Sequence, residues 1–174
     1  MTLIVEDGAA KSDAETYASV AQADVYCSAR SITAWAALTT AKKEVALRQA
    51  GDHMLQNYRS RWMGVRYTIT QAQDWPRVGV SRADGSGSYR GLVNYYATSE
   101  VPAEVVRACI ELAIRASTAP LIKDLGAQID SVSVDVVTVT YAAGAREQAR
   151  YEAVDRLLAP FLTSTAYGFA VSRA

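Results

Sequence analysis

Histidine occurs once in this chain of 174 residues, cysteine twice and proline four times. Each scarcity closes off a class of function. His53 sits between Asp52 and Met54 in a helix-forming run, where a lone histidine is more often packed or solvated than catalytic. Metal sites need several convergent His, Cys or carboxylate ligands. None recur here at ligand spacing, so no metal or other cofactor is expected. Cys27 and Cys109 match no zinc or redox spacing, and they read as reduced, buried small hydrophobes. The chain has no G-x-S-x-G elbow and no G-x-x-x-x-G-K-S/T loop. Its acidic pairs, Glu6/Asp7, Asp13/Glu15 and Asp130/Asp135, are scattered in sequence. These absences argue against an enzyme.

Charge of one sign is lacking too. Eighteen basic residues balance eighteen acidic ones, so no net field draws the chain to nucleic acid or anionic membrane. Any nucleic-acid role must come from a local patch. No apolar run approaches the roughly 20 residues that span a bilayer. "MTLIVEDG" carries no basic region before its short apolar stretch, so it is not expected to be a signal peptide. The expectation is a soluble, single-domain protein over 1–174, made in a cytoplasm, with no membrane partner.

What is present is mostly helical. Residues 2–8 read as a short strand or extended N-terminal arm closed by a glycine. Ser19 is a good cap for a helix carrying Val20, Ala23, Tyr26 and Cys27. Thr39 or Thr40 caps a second, whose apolar face is expected to hold Ala41, Val45, Leu47, Leu55 and Tyr58. Gly51 inside it costs about 1 kcal/mol relative to alanine, which points to close packing or a break there. "TITQAQD" (68–74) is a short helix at most. Pro76 biases Trp75 away from helical geometry, so the Trp75-Pro76 pair turns the chain. Residues 81–97 form a glycine-, serine- and tyrosine-rich loop. Pro102 opens the strongest helix, with Val105, Val106, Cys109, Ile110, Leu112, Ala113 and Ile114 covering more than one face. "SVSVDVVTVTY" (131–141) alternates in two phases, as a bulged or doubly buried strand would. A last helix carries Tyr151, Val154, Leu157, Leu158 and Phe161. The tail from 163 to 174 keeps Tyr167, Phe169 and Val171 in alternation and reads as an intersubunit arm.

One segment carries a nucleic-acid signal. Between Arg59 and Arg90 six arginines face only Asp74 and Asp84, interleaved with Trp62, Tyr67, Trp75 and Tyr89. Arg59, Arg61, Trp62, Arg66 and Tyr67 fall in ten residues, and Arg77 follows Pro76. Single-strand binders join cationic grooves to aromatic stacking platforms in this way. The competing reading makes the tryptophans core residues and the arginines solvated or interfacial. With a neutral total charge, the second reading carries more weight.

Together, "MTLIVEDG", "SDAETYASVAQADVY", "AWAALTTAKKEVALRQAGDHM", "RWMGVRYTITQAQDWPR", "EVPAEVVRACIELAIRA" and "YEAVDRLLAPFL" resemble a family of tailed-bacteriophage proteins. These are labelled DnaT-like single-stranded-DNA-binding proteins and look like head-tail connector, or adaptor, subunits. The resemblance implies a mainly α fold, a small helical bundle with a short β-strand or hairpin element and extended N- and C-terminal arms. It implies a structural virion protein at the head-tail neck, forming a homo-oligomeric ring, commonly dodecameric, below the portal protein. Such a ring would extend the channel for passing double-stranded DNA and dock neck and tail components. Trp75-Pro76 would be a structural corner between helical layers and Arg77 an intersubunit or portal contact. The alternative is a DnaT-like single-stranded-DNA-binding protein acting in phage replication.

Overall fold

The computed structural model describes residues 2–82, 94–122, 131–134, 137–140 and 149–163. Helix α1 (Val20–Ser28) begins at Ser19, whose Oγ accepts the Gln22 backbone N–H at 3.2 Å. The Gln22 side chain accepts the Ser19 N–H at 2.8 Å, a reciprocal cap that satisfies two backbone donors. A short helix α2 (Thr33–Ala36) leads to α3 (Thr40–Tyr58), the longest element, capped by Thr39. Helix α4 (Ala103–Ala116) packs against α1, α3 and α5 (Glu152–Leu158), and a 3-10 turn (Ala159–Phe161) extends α5.

The central position of α4 follows from its sequence. Val105, Ala108, Cys109, Ile110, Leu112 and Ala113 are buried, with Val106 and Ile114 half-buried. Pro102 stands one place before the helix, and no side chain caps its amino end. Packing therefore holds α4, each large aliphatic contributing about 1.5–3 kcal/mol by its burial. Among the described residues, no helix is long and apolar enough to cross a membrane.

Helix α3 buries Leu47 and Tyr58 as expected but departs from the expected face elsewhere. Its buried residues are Lys43, Ala46, Leu47, Ala50, Gly51, His53, Met54 and Tyr58. Ala41 and Val45 are exposed and Leu55 is half-buried. The reason is a seam of small residues. A Cβ on Gly51 would lie 2.2 Å from the carbonyl oxygen of Glu15, so the chain at 15–16 rests directly on the helix backbone. Hydrophobicity picks out large apolar residues, whereas here the close approach of two backbones sets the buried side.

The segment at 15–16 also holds the amino-terminal residues. Glu15 N–H donates to Ile4 O at 2.8 Å and Glu6 N–H to Thr16 O at 2.9 Å. The buried Glu6 carboxylate accepts backbone N–H groups from Gly8, Ala10 and Lys11 at 2.8–3.0 Å. Residues 4–6 thus lie along their own chain.

Two antiparallel ribbons complete the described structure: β1 (Val65–Arg66) with β2 (Arg77–Val78), and β3 (Ser131–Val134) with β4 (Val137–Thr140). The second ribbon corrects the single bulged strand expected over 131–141. The change of phase marks a chain reversal, with Val134 paired to Val137 and Val132 to Val139. Residues 68–74 form bends rather than a helix. Most of the 81–97 loop, and the tail with Tyr167, Phe169 and Val171, lie outside the described residues.

Candidate nucleic-acid interface

The basic, aromatic segment divides into a buried framework and an exposed face. Trp75 is fully buried, and its peptide bond to Pro76 is cis. Its ring meets Trp62, Tyr96 and Phe161 edge-on, with centroids 6.0, 6.0 and 5.6 Å away. Trp62 is buried beside Tyr58 and pairs with Leu162 through an isolated bridge. Neither indole presents a face on which a base could stack. The two tryptophans counted as stacking candidates are core residues.

Polar side chains shape the turn that carries Trp75. The Tyr17 hydroxyl oxygen accepts both the Asp74 and the Trp75 backbone N–H, at 2.9 and 3.1 Å. Burial raises the Tyr17 pKa well above its ordinary value. Gln71 Nε2 donates to Gln73 O and Pro76 O, while its Oε1 accepts the Thr68 N–H. A buried amide that satisfies backbone groups on both sides of a turn selects one conformation of it.

Arg77 belongs to this framework as well. Its Nε donates to Met63 O at 2.8 Å, Nη1 to Asp74 O at 3.0 Å and Nη2 to Gly64 O at 2.8 Å. The residue is 6% exposed. Burial lowers its pKa, against which the charge of Asp74 acts to raise it. The guanidinium ties three carbonyls across the base of the β1–β2 ribbon and points into its own chain, not outward to a neighbour. Gly64 allows this closure: its φ is +67°, and a Cβ there would lie 2.1 Å from Val78 O.

Arg59, Arg61, Arg66 and Tyr67 are the remaining candidates. Arg59 Nε pairs with the buried Asp74 carboxylate at 3.0 Å, yet half of the Arg59 side chain stays exposed. Arg61 is half-buried, with its guanidinium 5.3 Å from the Tyr58 ring centroid. Arg66 is exposed, with Nη1 on Gln71 O at 3.1 Å. Tyr67 is 51% exposed, beside Val65 at 65%, Ile69 at 91% and Val78 at 39%. Val65 and Val78 are cross-strand partners, and Tyr67 lies two residues beyond Val65. Val65 and Val78 therefore share one side of the ribbon, and the Tyr67 N–H donates to Pro76 O at 3.1 Å just beyond it.

Over residues 59–82 five arginines face one aspartate, a balance of +4, so the rest of this neutral chain carries −4. The local patch that composition required is present in sequence. In the structure Arg77 is buried, while Arg59 pairs with Asp74 at 3.0 Å and Arg82 with Glu100 at 2.6 Å, each keeping part of its side chain exposed. Among the described residues no group of His, Cys, Asp and Glu could hold a metal ion.

Sequence alone placed Gln71 in the run leading to Trp75-Pro76-Arg77 but gave no role to it, to Tyr17 or to Asp74, which build the turn, and it did not single out the exposed Val65, Val78 and Ile69. The "QAQD" run before Trp75 was the available signal, since polar residues directly before a Trp-Pro turn are placed to satisfy its backbone.

The profile of a family described as "Putative DnaT-like ssDNA binding protein" matches residues 1–174. No curated protein and no solved structure matches the chain.

Proposed function

Since the chain belongs to the DnaT-like single-stranded-DNA-binding family, we propose that it binds single-stranded DNA through the segment that carries Tyr67, Arg59, Arg61 and Arg66, with Tyr67 as the stacking platform. One observation carries this reading: Tyr67 is a half-exposed aromatic in a stretch whose charge balance is +4. Base stacking on such a ring contributes about 1–3 kcal/mol, and arginines along the backbone supply attraction that is independent of sequence. The role is binding, not catalysis, and it requires no cofactor.

Anisotropy of a labelled oligothymidine, titrated at low and physiological salt, tests the proposal. Binding should weaken steeply with salt, with a slope that counts neutralised phosphates. Tyr67→Ala should weaken it about tenfold or more without a change in stability. Equal affinity of Tyr67→Ala and the unchanged protein, or no binding at low salt, would refute it.

A second reading, the head-tail connector ring, is favoured by a different observation. Both tryptophans of the segment are buried, while the cross-strand pair Val65 and Val78, together with Tyr67 and Ile69, is exposed. Apolar and aromatic groups rimmed by arginine are the chemistry of a protein interface. Under this reading the partners are further copies of the chain, the portal, the neck and tail proteins and passing double-stranded DNA, and the protein resides in the virion. Imaging the protein on portal rings tests it directly. Absence from the rings would remove this reading.

A further inference from the structure

A groove of about 390 Å³ opens between the α1–α2 connection and the first turn of α3. Lys43 lies in it, only 9% exposed. An ammonium group carries three N–H donors. Among the described residues, Lys43 Nζ has one hydrogen-bond acceptor, Asp24 Oδ1 at 2.8 Å. The same oxygen accepts the Trp35 Nε1–H at 2.7 Å. Both donors thus converge on Oδ1, which leaves Oδ2 of a half-exposed carboxylate able to accept from a ligand. Ser31 and Thr33 add hydroxyls to the wall, and Ile32 adds apolar surface. Ser31, at φ +55°, closes the carboxyl end of α1, with its N–H on Ser28 O at 3.1 Å and the Ile32 N–H on Cys27 O at 3.0 Å, and so fixes this edge of the groove.

The groove therefore offers a cationic donor directly beside an anionic acceptor. Its complement is a neutral group with a hydrogen-bond acceptor next to a donor. A simple anion would meet Asp24, and a simple cation would meet Lys43. The Watson–Crick edge of a nucleobase has the required pairing on a flat ring. We propose that this groove accepts a nucleobase, with Lys43 donating to a ring carbonyl or nitrogen and Asp24 accepting from the neighbouring N–H. The choice of a base over other amide-bearing ligands rests on the single-stranded-DNA reading above.

The test uses neutral deoxynucleosides, which lack phosphate and so bypass the arginine-rich segment. The chain has three tryptophans, so indole N–H signals in a nitrogen–proton correlation spectrum are few, and Trp35→Phe assigns one of them. Titration with deoxycytidine or deoxyadenosine should shift the Trp35 signal saturably and leave those of Trp62 and Trp75 in place. Lys43→Met should weaken this response at least about tenfold. Unmoved Trp62 and Trp75 signals report an intact fold; if Lys43→Met disturbs them, Asp24→Asn serves instead. No Trp35 shift with any nucleoside, or an equal shift in the variant, overturns the proposal. A shift with acetamide but with no nucleoside overturns it in favour of a peptide ligand. Loss of oligothymidine binding in Tyr67→Ala is read on a different surface, so failure of either proposal leaves the other measurable.

Discussion

Replacing Arg77 by methionine separates a structural arginine from a DNA-binding one. The side chain makes three hydrogen bonds to backbone carbonyls, at 2.8, 3.0 and 2.8 Å. A hydrogen bond to a charged group contributes about 1.5–3 kcal/mol net, but three on one group do not add. The guanidinium also loses hydration on folding, while methionine keeps much of the apolar stem. Water can reach the exposed Gly64 end of the cluster. These considerations bring the expected loss to about 3 kcal/mol. In urea, with a slope of ~2 kcal/mol per molar, the midpoint should fall by about 1.5 M with the slope unchanged. Arg77→Lys should recover little, because an ammonium cannot reach three divergent carbonyls as a planar fork does. Oligothymidine affinity, measured where the variant is fully folded, should stay within about twofold, since Arg77 does not reach the surface. A midpoint within about 0.2 M of the unchanged protein would refute the framework account. So would unaltered stability combined with a salt slope reduced by about one unit, which would make Arg77 a phosphate contact.

Trp75→Ala, which empties the centre of three edge-on ring contacts, should cost about 3–5 kcal/mol, read as a loss of thermal stability; a change too small to measure would refute the packing described. Gly51→Ala forces a methyl group against Glu15 O and should destabilise by about 1–3 kcal/mol, against the usual gain from alanine in a helix. His53 is buried and its pKa is lowered chiefly by burial, with Asp155 opposing. The unfolded chain then binds the proton more readily, so stability is full above pH 6.5 and declines as pH falls from there towards the folded pKa. As the chain has a single histidine, His53→Gln should flatten urea midpoints over that window; an unchanged slope would assign the effect elsewhere.

Local and periodic features were legible in the residues. Ser19, and the pair Thr39/Thr40 of which Thr39 is the cap, marked the starts of α1 and α3 because a cap is chemistry within three positions of chain. The apolar residues of α4 exceeded one face, which is what a helix packed on several sides requires. The change of phase after Val134 was visible too, although its meaning, a reversal into a ribbon, depended on pairing that a one-dimensional pattern does not contain.

The candidate site was legible only as composition. Arginine and aromatic residues crowd positions 59–82 in any reading, and that part was settled by sequence alone, as was the neutral total charge. Tertiary structure decided which members of the crowd face water. Trp62 and Arg66 differ by four positions, yet one is buried against Leu162, a hundred residues away, and the other is exposed. Tyr17, distant in sequence, holds the turn at Asp74 and Trp75. Residue type sets what a side chain can bind, whereas burial and the geometry of donors depend on contacts between remote segments, and those exist only once the chain has folded.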